Sequence, residues 1–225
     1  RWGAHRELLS QLPELSAQLD EAAKRHPERL NLDQSLPLPD YLTKTDTHQY
    51  PGGLWESDVG GFVLEVLTEK TSFSLISPER PLEWYAHFLR DRVGPKRILD
   101  LGCARARGTR ALKRAMPDAE IHGCDLCAPI LRLAHLRNIE EALDITLWQR
   151  NAEATEFASE SFDLVTSHWL IHETPPAALR RIIREGWRVL EPGGMFAMYD
   201  MYLTPGGVVG EWLHAGYAAR NNEPF

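Results

Sequence analysis

Asp100, Asp125, His168 and His172 each stand where a short apolar run gives out, the place from which a side chain at the end of a buried parallel strand meets a ligand. The first lies in R-I-L-D-L-G-C-A-R-A-R-G-T (residues 97–109): an apolar strand, an aspartate, a turn of small residues and the start of a helix. Gly102, Ala104 and Ala106 occupy alternate positions, so backbone can approach a ligand closely. That spacing indicates a nucleotide-like ligand and no more. Asp100 narrows the choice, because a carboxylate facing the ligand repels a pyrophosphate and holds an ammonium group. Asp125, 23 positions after Gly102, is close to the ~20 expected of a carboxylate that accepts hydrogen bonds from a ribose diol. His172 has an imidazole able to take a proton from a hydroxyl at neutral pH, with Glu173 beside it to orient the ring; alternatively the pair caps a helix beginning at Pro175. Arg105 and Arg107 read as solvated side chains at a helix start, or as contacts to an anionic group.

The elements that must position these residues follow from periodicity. Leu8, Leu12, Leu15, Leu19 and Ala22 form the stripe of an amphipathic helix, which Pro13 breaks or restarts. Residues 31–55 are loop chemistry rich in Pro, Asp, Thr and Gly, and the aromatics Tyr41, Tyr50 and Trp55 with His48 favour an ordered lid or a loop pinned to the core. Residues 60–70 read as a helix or a strand. Ser77 and Pro78 begin a helix carrying Leu82, Tyr85 and Leu89 on one face as far as Gly94. Thereafter apolar strands at 98–101, 121–126, 145–148, 162–167 and 195–201 alternate with helices at 108–116, 129–143 and 175–190; the link 150–161 is less helical. Crossovers of this length predict a mostly parallel, doubly wound sheet with ligands beyond its carboxyl ends.

Composition narrows the class. With 43% apolar residues and no run near the ~20 needed to span a bilayer, a membrane partner is not expected. A net charge of -7 argues against binding a nucleic-acid backbone. Cys103, Cys124 and Cys127 are too few for a disulfide framework and suit a reducing, cytoplasmic setting. Cys124 and Cys127 spell C-x-x-C, but no second ligand pair accompanies them, so no metal site is expected.

The run D-L-G-C-A-R-A resembles the first motif of class I S-adenosylmethionine (SAM)-dependent methyltransferases, an acidic residue followed by three alternating glycines. Two of those glycines are Ala104 and Ala106 here, and an alanine is expected only where φ is negative. Asn151-Ala152-Glu153 resembles the family's Asp-Ala-x segment beside the adenine, with the Asn151 amide oxygen able to accept from the adenine amino group. F-D-L-V-T-S followed by His168, Trp169 and I-H-E-T-P resembles the fourth motif. V-L-E-P-G-G-M-F-A resembles the turn into the fifth strand, with Pro192, Gly193 and Gly194 reversing the chain.

The resemblance implies a Rossmann-like α/β fold, with residues 1–85 as a helical cap and lid that shapes the substrate pocket and residues 86–225 as the SAM-binding core. It implies SAM contacts from Asp100, Gly102, Cys103, Ala104, Ala106, Asp125, Leu126, Asn151, Ala152, Glu153, His168 and Trp169, and transfer of a methyl group to a small-molecule acceptor, with His172 as base if one is used. His48, Tyr50, Trp55, Tyr199 and Trp212 are pocket candidates, and Trp84, Tyr85 and Tyr217 further wall aromatics. The family's closing strands find no room before Phe225, so the edge of the fifth strand is expected to be covered by further chain or by a second copy. The rival readings are a SAM-binding protein without methyl transfer or using SAM for another reaction, and an NAD-dependent oxidoreductase, which should show G-x-G-x-x-G where this chain has G-C-A-R-A-R.

Overall fold

The computed structural model describes residues 2–44, 50, 53–70 and 79–200. His48, Ser77, Pro78, Met201, Trp212 and Tyr217 lie outside the described residues, as does the expectation about closing strands. Helices α1 (Trp2–Ser10) and α2 (Leu12–Lys24) come first. Pro13 falls in the first turn of α2, where its missing N–H has no intrahelical partner to lose, so it starts a helix rather than breaking one. Leu15, Leu19 and Ala22 bury the predicted stripe. Strand β1 (Leu30–Asn31), short helix α3 (Asp40–Thr43) and helix α4 (Val59–Lys70) follow. The core then runs α5 (Glu79–Val93), β2 (Arg97–Leu101), α6 (Arg107–Ala115), β3 (Glu120–Asp125), α7 (Ala128–Glu140), β4 (Thr146–Gln149), β5 (Phe162–His168), α8 (Pro176–Val189) and β6 (Leu190–Tyr199).

The six strands form one sheet in the order β1-β4-β3-β2-β5-β6, with every pair parallel. Side chains alternate along β2: Ile98 packs with Leu82, Leu89 and Leu112 of α5 and α6, whereas Leu99 and Leu101 pack with Ile182 and Val189 of α8. Both faces are therefore covered, which is why these strands read as continuous apolar runs. Residue 85 falls inside α5, whose Tyr85, Ala86 and Leu89 belong to the same cluster as Ile98 and Ile121.

Two departures from expectation have local causes. The link between β4 and β5 forms no helix: Arg150 is sandwiched between the rings of Trp148 (4.4 Å) and Phe157 (4.3 Å) and donates to Thr155 O, while Glu185 accepts from the Thr155 amide. Pro192–Gly194 do not reverse the chain either. Pairing passes from Phe162↔Leu190 to Leu164↔Met195, so five steps along β6 meet two along β5 and the surplus is absorbed in the strand.

The strand order reverses at the neighbours β2 and β5, so their carboxyl ends are where a ligand is expected. The small-residue turn lies there. Gly102 has φ 66°, but so in kind do Ala104 (46°) and Ala106 (55°), overturning the expectation of negative φ. The turn, closed by Ala106 N–H to Cys103 O at 2.8 Å, imposes left-handed geometry at a cost of roughly 1–2 kcal/mol per alanine. At Ala106 the methyl is fully buried against Leu131 and Ala134, which offsets part of that cost. Ala104 is half-exposed and has no such return. Ala104→Gly is therefore expected to raise the melting temperature by ~2–4 °C, for about 1 kcal/mol of relieved strain, measurable by differential scanning calorimetry.

Candidate functional site

Asp125 ends β3 and points back across the turn: Oδ2 accepts from the Ala104 amide at 3.0 Å and Oδ1 from the Cys127 amide at 3.0 Å. Burial raises its pKa and the nearby Glu173 charge adds to this, against the Cys127, Ala104 and Leu126 amides, which favour the anion. Each carboxylate oxygen keeps a lone pair beyond its amide, which a vicinal diol can use. Leu126 follows, its carbonyl accepting from Gln149 Nε2 (3.1 Å). Asn151 Oδ1 accepts from the Glu153 amide at 2.9 Å and retains one lone pair for a further donor. Ala152 is buried in the core, and Cys103 packs its sulfur beneath Gly123, where a Cβ would come within 2.8 Å. Burial pushes the Cys124 thiol up to about 12 and the Cys103 and Cys127 thiols upward too, so the C-x-x-C pair is packing rather than redox chemistry.

Asp100 is 1% exposed, and its Oδ2 accepts from Thr109 Oγ1 (2.6 Å) while Oδ1 lies 3.2 Å from His168 Nδ1. The pair joins the ends of β2 and β5 across the reversal point, and Gly108 leaves room for it, since a Cβ there would meet the imidazole at 2.6 Å. His168 also lies edge-on to Tyr85, at 5.2 Å between centroids. Asp100→Asn is therefore expected to cost stability. Thermal denaturation of the unliganded variant should show a loss of about 1–3 kcal/mol, because an amide cannot serve both partners as the carboxylate does.

Other sequence candidates move as well. Arg105 is not solvated: it is buried and pairs with Glu65 of α4 at 3.7 Å, tying the turn to the N-terminal segment. Tyr50 packs with Leu15, Val59 and Phe62 in a core cluster rather than a pocket wall. Trp55 is partly buried, its ring lying over Gly53. Tyr199 packs on Tyr85 (5.2 Å) and Trp169 (6.2 Å), and Trp84 stacks on Phe88 on the outer surface, 62% exposed.

Trp169 leaves β5 with φ 56°, an uncommon conformation for a bulky residue, and turns the chain into the 3-10 segment Ile171–Glu173. There His172 is 9% exposed, with Nδ1 at 2.5 Å from Asp200 Oδ1, while Asp200 Oδ2 accepts from the Ile171 amide at 2.7 Å. Asp200 takes the orienting role expected of Glu173, whose Oε1 is 3.7 Å from Nε2, beyond hydrogen-bond reach. The capping alternative is not what forms, because α8 begins after Pro175 without a side-chain cap. Asp200 was missed from sequence; the signal was an acid one residue beyond Tyr199, which the parallel register sets opposite His168.

A left-handed small-residue turn, an acid accepting from that turn, and a histidine–aspartate pair at the carboxyl ends of a doubly wound sheet define a nucleotide-cofactor enzyme class. The Glu173 carboxylate lies near enough to raise the pKa of Asp125, and His172 lies beside both Glu173 and Asp200. That charge suits a cationic sulfonium with an amino-acid tail and opposes a pyrophosphate, so the residues present fit SAM.

Comparison with known proteins agrees. Residues 98–194 match a family model described as a methyltransferase domain. The chain is 36% identical over 107 residues, 48% of each chain, to an uncharacterized methyltransferase of Synechocystis. It is 31% identical over 116 residues, 52% of each, to demethylmenaquinone methyltransferase of Thermus thermophilus. It thus spans about half the length of the curated relatives it matches. A crystal structure from Methanococcus maripaludis, provisionally described as a SAM-dependent methyltransferase, shares the fold with a TM-score of 0.55 at 17% identity, over 73% of this chain and 72% of that one. Residues 98–194, less than half of the chain, thus carry its likeness to methyltransferases.

Proposed function

We propose that this protein transfers a methyl group from SAM to a small, largely apolar acceptor, serving small-molecule biosynthesis in the cytoplasm. The observation that carries the reading is Asp125, poised at the end of β3 with one lone pair per oxygen beyond the Ala104 and Cys127 amides. When bound, SAM supplies an electrophilic methyl on a sulfonium centre. The chain's own part is alignment and exclusion of water. Asp125 and Asn151 hold the adenosine end, and the turn 102–106 passes close beneath it.

His172 stands on the acceptor side. A carboxylate only accepts, so in the neutral ring Nδ1 keeps its proton and donates a hydrogen bond to Asp200, and Nε2 carries the lone pair that can take a proton from an acceptor hydroxyl. Among the described residues no helix is long and apolar enough to cross a membrane. Incubation with SAM and small-molecule pools fractionated by polarity, scored for S-adenosylhomocysteine, tests the reading. Turnover is expected in the apolar pools; SAM binding without turnover in any pool would favour a binder that does not transfer the methyl.

A further inference from the structure

Residues 30–44 form a strap along the edge of the sheet, fastened at three places. Leu30 and Asn31 pair with Leu147 and Trp148 of β4. The Asp33 amide then donates to Gln149 Oε1 at 3.1 Å, and the same Gln149 side chain donates to Leu126 O, next to Asp125. Finally α3 brings Tyr41 back, and its hydroxyl donates to Glu153 Oε1 at 2.7 Å. The other oxygen of Glu153 pairs with Arg181 of α8, and the Glu153 side chain is only 10% exposed. Each fastening lands on the end of β4 or on the segments 125–126 and 151–153, the parts of the chain assigned above to the adenosine end of the cofactor.

We propose that Tyr41 is the clasp of this strap, a positioning residue that holds Glu153, and through it the Asn151–Glu153 turn, closed over the adenosine end of the pocket. The inference rests on the SAM reading and adds a residue that the family's motifs do not contain. Its logic is local. Glu153 is fixed only when both oxygens are occupied, one by Arg181 and one by Tyr41, and a fixed Glu153 presents its amide to Asn151 Oδ1. Burial, together with the Glu153 and Asp125 carboxylates, pushes the Tyr41 phenol upward, so it remains a donor throughout the neutral range. A bond from a neutral hydroxyl to a carboxylate is charge-assisted, and its loss is felt in how long the strap stays shut.

The test uses the whole protein and S-adenosylhomocysteine (SAH) as probe, with calorimetry for affinity, stopped-flow displacement for dissociation and hydrogen exchange over residues 33–44 without ligand. Tyr41→Phe keeps the ring and removes the donor. It is expected to speed SAH dissociation ~10-fold with association within about twofold, and to accelerate exchange in the strap. Glu153→Ala removes this contact and the Arg181 pair as well, so it should lose at least as much, and the double variant should be no worse than Glu153→Ala alone, since Tyr41 then has no Glu153 bond left to lose. Dissociation from Tyr41→Phe within about twofold of wild type, or additive losses in the double variant, would overturn the clasp while leaving the SAM reading intact. A wild-type protein that binds no SAH would remove that reading and the clasp with it.

Discussion

His172→Gln is expected to lower turnover on the true acceptor by ~10²-fold or more while SAH affinity stays within a few-fold of wild type. The imidazole is held by Asp200 and, through Asp200, by the Ile171 amide, so its position does not depend on the ligand. Asp200→Asn gives the sharper version of the same experiment. Asparagine can still accept from Ile171 with its oxygen, but its NH2 group then faces Nδ1, which must become the acceptor and move the ring proton to Nε2. The base is lost with the fold and the shape of the site preserved, and a comparable fall in turnover is expected. Steady-state kinetics at saturating SAM for both variants checks this. Turnover within a few-fold of wild type in both would assign the pair to packing and leave alignment as the whole mechanism.

Asp125→Ala is expected to weaken SAH binding by roughly 1.5–3 kcal/mol, about 10- to 150-fold, the scale of hydrogen bonds to a charged acceptor. Part of the loss comes from the turn itself, because the Ala104 and Cys127 amides lose their acceptor. Asp125→Asn separates the contributions by pH. Burial and the Glu173 charge raise the wild-type pKa, so diol binding needs the anion, is complete above that pKa and is lost as pH falls through it. Affinity of the wild type should therefore drop on acidification at higher pH than for an ordinary aspartate, and Asp125→Asn should lack this step. Calorimetric titrations across pH, run alongside circular dichroism to confirm folding, read both effects. Unchanged affinity in a folded Asp125→Ala would remove the residue from the site.

The sheet was legible because its strands are buried on both faces and so carry consecutive apolar residues, as at Ile98-Leu99 and Leu164-Val165. Asp125 was legible because its distance from Gly102 is a property of one crossover. What escaped depends on partners far along the chain. Asp200 meets His172 only because β5 and β6 pair in parallel, and Arg105 is buried only because α4 sets Glu65 beside it. β1 has two residues and no periodicity to read, and is a strand because Leu147 and Trp148 offer it a ladder. The left-handed alanines follow from how the turn closes, which residue types alone would have argued against. Asp100 was legible at the end of its strand but its partners were not, since Thr109 and His168 reach it from the following helix and from β5.

The central claim is that the carboxyl ends of β2, β3 and β4 hold the adenosine and amino-acid ends of SAM. Isothermal titration of the unmodified protein with SAH and, in parallel, with NAD tests it most directly. One SAH bound per chain with no heat from NAD is the predicted result; binding of NAD without SAH would contradict the account.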